Sequence, residues 1–185
     1  MATILLVIIY VVFISLGLPD ALLGSSWPVM QPEMGIFYSF LGIPQIIISL
    51  GTIVSSLNVN RLLKKFGTGK LLVASVGLTA IALAGFGFAP SPWWLVVAAV
   101  PMGFGAGAVD AGLNTYVATH YEARHMSWLH SFWGVGAMSG PLLLSFFLAQ
   151  GRSWRLAYFT IFALQVVLVM VLLFVLPLWS KVKGR

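Results

Sequence analysis

Residues 17–23 read GLPDALL, and residues 107–113 read GAVDAGL. Both heptapeptides follow the pattern Gly-x-x-Asp-Ala-x-Leu, and each lies inside a long run of apolar residues. The chain has only four acidic residues, and two of them, Asp20 and Asp110, occupy the same position of this pattern. Two matching acidic positions in apolar surroundings indicate an internal repeat and a function for the acids.

The composition around these heptapeptides is typical of a membrane protein. Hydrophobic residues make up 60% of the 185 residues, charged residues make up 8%, and the mean hydropathy is +1.02. A water-soluble domain carries about three times as much charge. The net charge of +6 does not indicate nucleic acid as a partner, because the basic residues fall between apolar runs. We therefore predict an integral membrane protein that is embedded in the lipid bilayer.

Six apolar stretches are long enough to cross a bilayer as helices, which takes about 20 residues each. Residues 2–18 lack the basic start and the cleavage site of a signal peptide, so the first stretch is interpreted as a membrane helix. The six predicted helices, called spans 1 to 6 in chain order, cover residues 3–27, 34–58, 70–89, 93–118, 127–149 and 155–179. They predict an all-α integral membrane fold with one domain over residues 1–185.

The basic residues predict the orientation of the spans. If the N-terminus is cytoplasmic, only Arg152 and Arg155 lie on the outside. The basic residues on the cytoplasmic side are then Arg61, Lys64, Lys65, Lys70, Arg124, Lys181, Lys183 and Arg185. Because Lys and Arg accumulate in cytoplasmic loops, we predict a multi-pass protein of the cell (inner) membrane with both termini in the cytoplasm.

The spans differ in polarity, and the difference repeats after three spans. Spans 1 and 4 carry the aspartates, spans 2 and 5 carry other polar side chains, and spans 3 and 6 are nearly featureless. The polar residues of span 2 share one helix face and are Tyr38, Gln45, Ser49, Thr52 and Ser56. An odd number of spans per unit turns the second unit upside down. The pattern therefore predicts a 3+3 inverted repeat, with units at about 1–89 and about 92–180.

The aspartates themselves predict a function. An ionised aspartate at the bilayer centre costs about 2.5–3.5 kcal/mol, and no Lys or Arg lies in the interior of a predicted span. Each aspartate is then expected to be protonated for much of the time or to face a water-filled cavity. Either situation suits a group that binds and releases protons, so Asp20 and Asp110 are the predicted proton-coupling residues.

Further candidates follow from their position beside these acids. Trp27 shares a helical face with Asp20 at 3-4-3 spacing through Gly17 and Gly24, and Tyr38 and Gln45 belong to the polar face of span 2. Trp27, Tyr38 and Gln45 are therefore candidate substrate-binding residues. Aromatic residues also gather at membrane interfaces, which leaves packing against lipid as the alternative for the two rings.

Spans 4 and 5 contain the segments GAGAVDAGLN at 105–114 and LHSFWGVGA at 129–137. These segments resemble the N-terminal six-helix half of a major facilitator superfamily transporter, in the branch of the fucose:proton symporter. The resemblance covers essentially all 185 residues. It implies that Asp20 is the proton-coupling carboxylate, that Asp110 replaces a glutamate close to the substrate, and that Asn114, His130 and Trp133 line the central site. His130 stands where the sugar symporter has glutamine, which argues against fucose itself.

The resemblance implies half of a twelve-helix fold whose substrate site lies between the two halves. We therefore expect proton-coupled uptake of a small polar solute such as a sugar, by alternating access, in a homodimer or with a separately encoded second half. One alternative is an inactive or structural six-helix fragment. A second is a proton-coupled efflux antiporter, which Gly136-x-x-x-Gly140-Pro141 in span 5 suggests.

Enzymatic chemistry finds little support in the sequence. A rhomboid-type protease needs a base beside its serine, but His130 lies nine residues before Ser139 on the same helix, about 13 Å along its axis. His120 and His125 fall on different helix faces, which disfavours a metal site. We predict that the chain is not an enzyme and requires neither a cofactor nor a metal.

Overall fold

The structure, a computed structural model, describes residues 2–179, and this part of the chain is helical. Its helices are α1 Ala2–Asp20, α2 Leu22–Met34, α3 Gly42–Leu57, α4 Val59–Phe66, α5 Thr68–Phe88, α6 Pro92–His120, α7 Ala123–Ala149, α8 Arg155–Phe174 and α9 Leu176–Trp179, with a 3-10 turn at Tyr38–Leu41. The predicted all-α fold is confirmed. Lys181, Lys183, Arg185 and the end of the predicted second repeat lie outside the described residues.

Six helical segments of the described chain are long and apolar enough to cross a membrane, as the sequence predicts. They define the observed bounds of spans 1 to 6 as Thr3–Met34, Tyr38–Leu57, Thr68–Phe88, Pro92–His120, Ala123–Ala149 and Arg155–Phe174. The protein is therefore a multi-pass membrane protein. The observed bounds agree with the predicted ones to within two residues, except for the end of span 1, the starts of spans 2 and 5 and the end of span 6.

Span 1 runs seven residues further than predicted, because its helix continues through Pro28 and Pro32 to Met34. Proline is tolerated in membrane helices where the freed carbonyl finds another partner. The helix ends at Gly35, whose backbone has the left-handed φ of 63° that glycine adopts readily. A break at Ala21 divides the span into α1 and α2, directly after Asp20.

The short basic segment after span 2 forms a helix of its own, α4, where the sequence predicted a loop. Val59 on this helix is buried, and Leu62 and Leu63 pack with it against Leu71 and Ala108. The basic side chains of α4 are exposed on its other side. This apolar contact explains the helix, because an amphipathic segment forms stable structure by burying one face.

The spans pack in an order that agrees in part with the inverted repeat. The extensive contacts join span 1 to span 5, span 2 to span 4, and span 3 to spans 4 and 6. Exchanging each span with the one three places along converts the 1–5 pair into the 4–2 pair and preserves the 3–6 pair. The 3–4 pair has no counterpart of similar extent, because spans 1 and 6 touch little. The predicted repeat limits, 1–89 and 92–180, remain a prediction.

Both heptapeptide glycines lie where two helix backbones meet. A methyl group on Gly17 would meet the Trp133 carbonyl oxygen in span 5, and one on Gly107 would meet the Thr52 carbonyl oxygen in span 2. We call these contacts the 1–5 seam and the 2–4 seam. Small residues at such positions allow membrane helices to approach closely. The matching glycines thus have matching surroundings in the two units.

Candidate functional site

A cavity of about 330 Å³ lies among spans 1, 2, 4 and 5 and contains both aspartates in its wall. Its lining residues are Leu16, Asp20, Ile48, Thr52, Met102, Ala106, Asp110, His130 and Trp133. Small-molecule sites in proteins occupy about 300–1,000 Å³ and combine an apolar wall with a few polar groups. The size and lining of this cavity are those of such a site.

Asp20 enters the cavity from the break in span 1. It is the last residue of α1, and its side chain is exposed to the cavity rather than packed in the core. The indole Nε1 of Trp133 in span 5 donates a hydrogen bond of 2.7 Å to its Oδ2. Asp20 is therefore held across the 1–5 seam by a neutral donor, which leaves its second oxygen available to a proton or a solute.

Asp110 enters the same cavity from span 4 but has a different partner. Its Oδ1 accepts a hydrogen bond of 3.0 Å from Nδ2 of Asn114, one turn later on the same helix. The Oδ1 of Asn114 is buried and has no hydrogen-bond partner among the described residues. Asn114 does not line the cavity itself, so this enclosed acceptor can receive the acid proton of Asp110 but is not placed against a solute.

The imidazole of His130 is the third polar group of the cavity. It lies close enough to Asp110 for electrostatic interaction, and its ring packs edge-on against Phe13 with 6.2 Å between the ring centroids. No lysine or arginine lines the cavity within residues 2–179. The two carboxyl groups therefore face a shared space without a permanent cation beside them.

The other predicted residues have different positions. Gln45 lines a smaller cavity of about 90 Å³ that it shares with Asp20. Tyr38 is 62% exposed at the start of span 2 and lines neither of these cavities. Trp27 is completely buried, and its Nε1 donates to the Tyr38 carbonyl oxygen at 2.9 Å. Its burial argues against the prediction that Trp27 contacts solute.

The apolar part of the cavity wall was not predicted. Leu16, Ile48 and Met102 line it, and nothing in the sequence distinguishes them from the other apolar residues of the spans. Thr52 was predicted only as part of the polar face of span 2, and its Oγ1 donates to the Gly103 carbonyl oxygen at 3.3 Å. A membrane-spanning sequence gives little signal for such residues, because apolar side chains also face lipid.

A second polar cluster lies at the end of span 1, away from the cavity. Glu33 accepts a hydrogen bond of 2.7 Å from Nε1 of Trp154 and forms an ion pair of 3.1 Å with Arg155. Arg155 also donates to the carbonyl oxygens of Gly87 and Ala89, at 2.9 and 3.0 Å. We call these residues the Glu33 clamp. The clamp connects spans 1, 3 and 6. It was not predicted, because Glu33 lies between the predicted spans 1 and 2.

Ser139 has the environment of a structural serine. Its Oγ donates to the Val135 carbonyl oxygen of its own helix at 2.7 Å. Within residues 2–179, no group of three acidic or histidine side chains is arranged to hold a metal ion. The side chains of the cavity can thus bind protons and polar groups, while Ser139 is engaged elsewhere.

Fold and cavity together define a multi-pass membrane protein with an acidic central site. Comparison with known families matches residues 9–183 to the Major Facilitator Superfamily, and the chain belongs to this superfamily. Its members are transporters rather than enzymes, which confirms the prediction that the chain is not an enzyme. The six helices are consistent with half of the superfamily fold. The fucose:proton symporter branch remains a prediction.

Three curated relatives illustrate the range of similar proteins. The chain is 26% identical over 170 residues to the glucose/mannose transporter GlcP of Bacillus subtilis (strain 168), covering 86% of this chain and 40% of that protein. It is 29% identical over 143 residues to the niacin transporter NiaP of Acinetobacter baylyi, covering 74% of this chain and 30% of that protein. It is 33% identical over 98 residues to the multidrug resistance protein MdtG of Dickeya zeae, covering 51% of this chain and 24% of that protein. The chain thus spans 40% or less of the length of these relatives.

Proposed function

We propose that this chain forms one half of a proton-coupled secondary transporter for a small polar solute. The observation that carries the proposal is the shared cavity, in which Asp20 and Asp110 face one space with no lysine or arginine in its described wall. A carboxyl group that has no fixed cation can exchange protons when the solute changes its surroundings. Asp20 and Asp110 are the proposed proton-coupling residues.

The polar groups of the cavity suggest how solute is held. His130 and Trp133 lie in its wall beside the two carboxyl groups, and Asn114 contributes through its hydrogen bond to Asp110. Hydroxyl-rich solutes match such a set, because each hydroxyl both donates and accepts hydrogen bonds. A sugar is the favoured solute, which accords with the name of the glucose/mannose relative. Gln45 beside Asp20 is a further proposed contact.

The decisive experiment measures glucose uptake into proteoliposomes that contain the purified chain, with the second half where one is encoded separately. An inward proton gradient is expected to drive accumulation. The Asp20→Asn variant is expected to lose this accumulation while it still exchanges labelled for unlabelled glucose at equilibrium. Equal loss of accumulation and exchange argues against coupling through Asp20, and absence of uptake by the unaltered protein favours the inactive or structural alternative.

The open side of the cavity requires a second wall. Spans 2 and 5 both line the cavity, and only 17% of the residues in the 18-residue apolar window of each are buried, against 56% in the windows of spans 3 and 4. We propose that a second six-helix unit covers this side, either another copy of the chain or a separately encoded half. In a homodimer, a two-fold axis along the membrane normal brings span 2 of one copy opposite span 5 of the other.

The chain contains no cysteine, which makes crosslinking a clean test of this arrangement. We expect a Leu50→Cys, Val135→Cys double variant to form a species of twice 20.0 kDa with a short thiol crosslinker in liposomes. Both side chains are exposed on spans 2 and 5. The matched control places cysteines at Ile81 and Val167, exposed on spans 3 and 6, where no crosslink is expected. Monomers alone in both variants contradict the homodimer and favour a separately encoded half.

The charges of the loops support a cytoplasmic location of both termini and insertion in the cell (inner) membrane. In this orientation α4 lies on the cytoplasmic side and the Glu33 clamp on the outer side. A cysteine introduced at Arg152, between spans 5 and 6, is expected to react with a membrane-impermeant thiol reagent in intact cells. A cysteine introduced at Asn60 on α4 is expected to react only after the membrane is opened, and the reverse result contradicts the orientation.

Proton-coupled efflux is the second candidate function. The similarity to a multidrug resistance protein and the Gly136-x-x-x-Gly140-Pro141 segment favour it. Gly136 and Gly140, however, pack against the carbonyl oxygens of Ile14 and Leu18 in span 1, which accounts for both glycines by helix packing alone. Solute that leaves the vesicle when protons enter supports efflux, whereas entry together with protons supports uptake.

A further inference from the structure

A second cavity exceeds the central one in volume. It is a groove of about 580 Å³ formed by spans 2, 3 and 4 and α4, and its wall is mostly apolar. Ala74 and Leu78 of span 3 and Phe104 of span 4 form part of this wall. At one end the wall becomes polar, where Asn58 and Lys70 line it. Lys70 also lines an adjoining recess of about 330 Å³, together with Thr68.

The polar end of this groove lies beside a basic segment of the chain. Lys70 at the start of span 3 lines the groove itself, and Arg61, Lys64 and Lys65 belong to α4, whose Leu62 and Phe66 form part of the groove wall. All four side chains are exposed, and none of them forms an ion pair with an acidic group of the described chain. The arrangement thus joins an apolar groove to a set of four cations without local counter-charge.

We propose that this groove binds an anionic phospholipid, whose phosphate lies beside Lys70 at the edge of this basic segment and whose acyl chain lies along span 3. The charge complementarity is direct, since basic clusters beside membrane helices attract anionic lipid head groups. The apolar wall can contact the acyl chains of a phospholipid, which a free anion such as phosphate lacks. In the proposed orientation the site opens toward the cytoplasmic leaflet.

A second groove of the molecule serves as an internal comparison. It lies between spans 1 and 6, has a volume of about 350 Å³, and is lined by apolar residues and Ser15. Ile14, Leu164 and Val167 belong to its wall, and no charged residue of the described chain lines it. This groove is expected to accept acyl chains without any preference for the head group, so it separates the contribution of charge from that of an apolar surface.

The test measures lipid binding by native mass spectrometry of the purified chain in neutral detergent. The probes are dioleoyl phosphatidylglycerol and dioleoyl phosphatidylcholine, titrated at equal concentrations. We expect at least about tenfold tighter binding of phosphatidylglycerol, a preference that added salt reduces. A Lys64→Gln, Lys65→Gln, Lys70→Gln variant is expected to lose the preference, whereas the control Arg152→Gln in the loop between spans 5 and 6 retains it.

Two further arms examine the groove itself. Ala74→Trp fills the groove from an exposed position and is expected to reduce phosphatidylglycerol binding several-fold, whereas Val167→Trp in the uncharged groove leaves the preference unchanged. Glycerophosphate, the head-group portion without acyl chains, is expected not to compete. Competition by glycerophosphate at equal concentration overturns the proposal, as does a preference that survives the triple substitution.

These measurements do not depend on transport. A chain that shows no solute uptake but prefers phosphatidylglycerol supports the lipid site and contradicts only the transport function. A chain that transports solute but binds the two lipids equally supports the transport function and contradicts the lipid site.

Discussion

The 1–5 seam and the 2–4 seam bring helix backbones together in the same way but give their aspartates different partners. Gly17 and Gly107 each contact the backbone of the opposite helix, and they stand at the same position of their heptapeptides. Asp20, however, is bonded across its seam by Trp133, whereas Asp110 is bonded by Asn114 on its own helix. The contrast shows that close helix packing requires glycine at positions 17 and 107, whereas it does not determine the hydrogen-bond partner of each aspartate.

The other polar bonds of the two seams differ in the same sense. In the 2–4 seam the hydroxyl groups of Thr52 and Ser56 donate to the carbonyl oxygens of Gly103 and Gly107, each at 3.3 Å. In the 1–5 seam the Tyr10 hydroxyl and Nδ1 of His125 share a bond of 2.6 Å. The hydroxyl groups of the 2–4 seam thus bond to the main chain, whereas the bonds across the 1–5 seam join two side chains. The 1–5 seam therefore depends on the identity of both side-chain partners.

The largest effect is expected from adding a methyl group at the glycines that lie between two helices. Gly136→Ala and Gly107→Ala place a methyl group against main-chain atoms of the neighbouring helix, which cannot move aside as a side chain can. We expect each variant to lose about 3 kcal/mol of unfolding free energy, measured by chemical denaturation in detergent. If only one of the two variants loses unfolding free energy, the two seams are not equivalent.

Gly134→Ala is the matched control in span 5, because no atom lies within 4 Å of the added methyl group. It is expected to gain about 0.5–1 kcal/mol, since alanine favours a helix over glycine. If this control also loses stability, the loss in Gly136→Ala cannot be attributed to the contact across the 1–5 seam.

An intermediate effect is expected for the bond that distinguishes the two acids. Trp133→Phe removes the donor to Asp20 and is expected to lower the unfolding free energy by about 1 kcal/mol. In a double-mutant cycle with Asp20→Ala, which removes the acceptor, most of this loss is expected to appear as coupling between the two residues. Trp128→Phe, an exposed tryptophan of the same helix, serves as control, and equal coupling of Trp128 to Asp20 refutes the assignment.

The smallest effect is expected in the 2–4 seam. Thr52→Val keeps the shape of the side chain but removes the hydroxyl that bonds the Gly103 carbonyl oxygen. The expected loss is about 0.6 kcal/mol, the average for such bonds between membrane helices. Thr115→Val is the control, since Thr115 donates only within its own helix, to Ala111 at 2.8 Å. A loss at Thr52 that exceeds the one at Trp133 reverses the ranking of the seams.

Much of the fold is predictable from the sequence, because hydrocarbon imposes length and composition on every spanning helix. The position of Asp20 and Asp110 at one cavity is predictable for a related reason, since unpaired acids avoid lipid. Trp133 and His130 also line that cavity, at the place that the family resemblance implies. Their roles in proton and solute binding remain predictions.

Trp27 shows where the reasoning from spacing fails. The 3-4-3 spacing places Trp27 on the face of Asp20 only if the helix is continuous between them. The helix is interrupted at Ala21, and the indole ring of Trp27 is buried in the core instead. Pro19, just before the interruption, is the one residue of this stretch that disfavours a continuous helix. The extension of span 1 through two prolines is hidden in the sequence, because it depends on partners elsewhere in the bundle.

The Glu33 clamp has a consequence for how the protein changes shape. Glu33, Trp154 and Arg155 join the end of span 1 to the start of span 6, and Arg155 also reaches the carbonyl oxygens of Gly87 and Ala89 at the end of span 3. These bonds oppose separation of the three span ends on that face. We therefore expect a movement that admits a molecule from that side to keep these ends together and to occur against the unit that lies opposite.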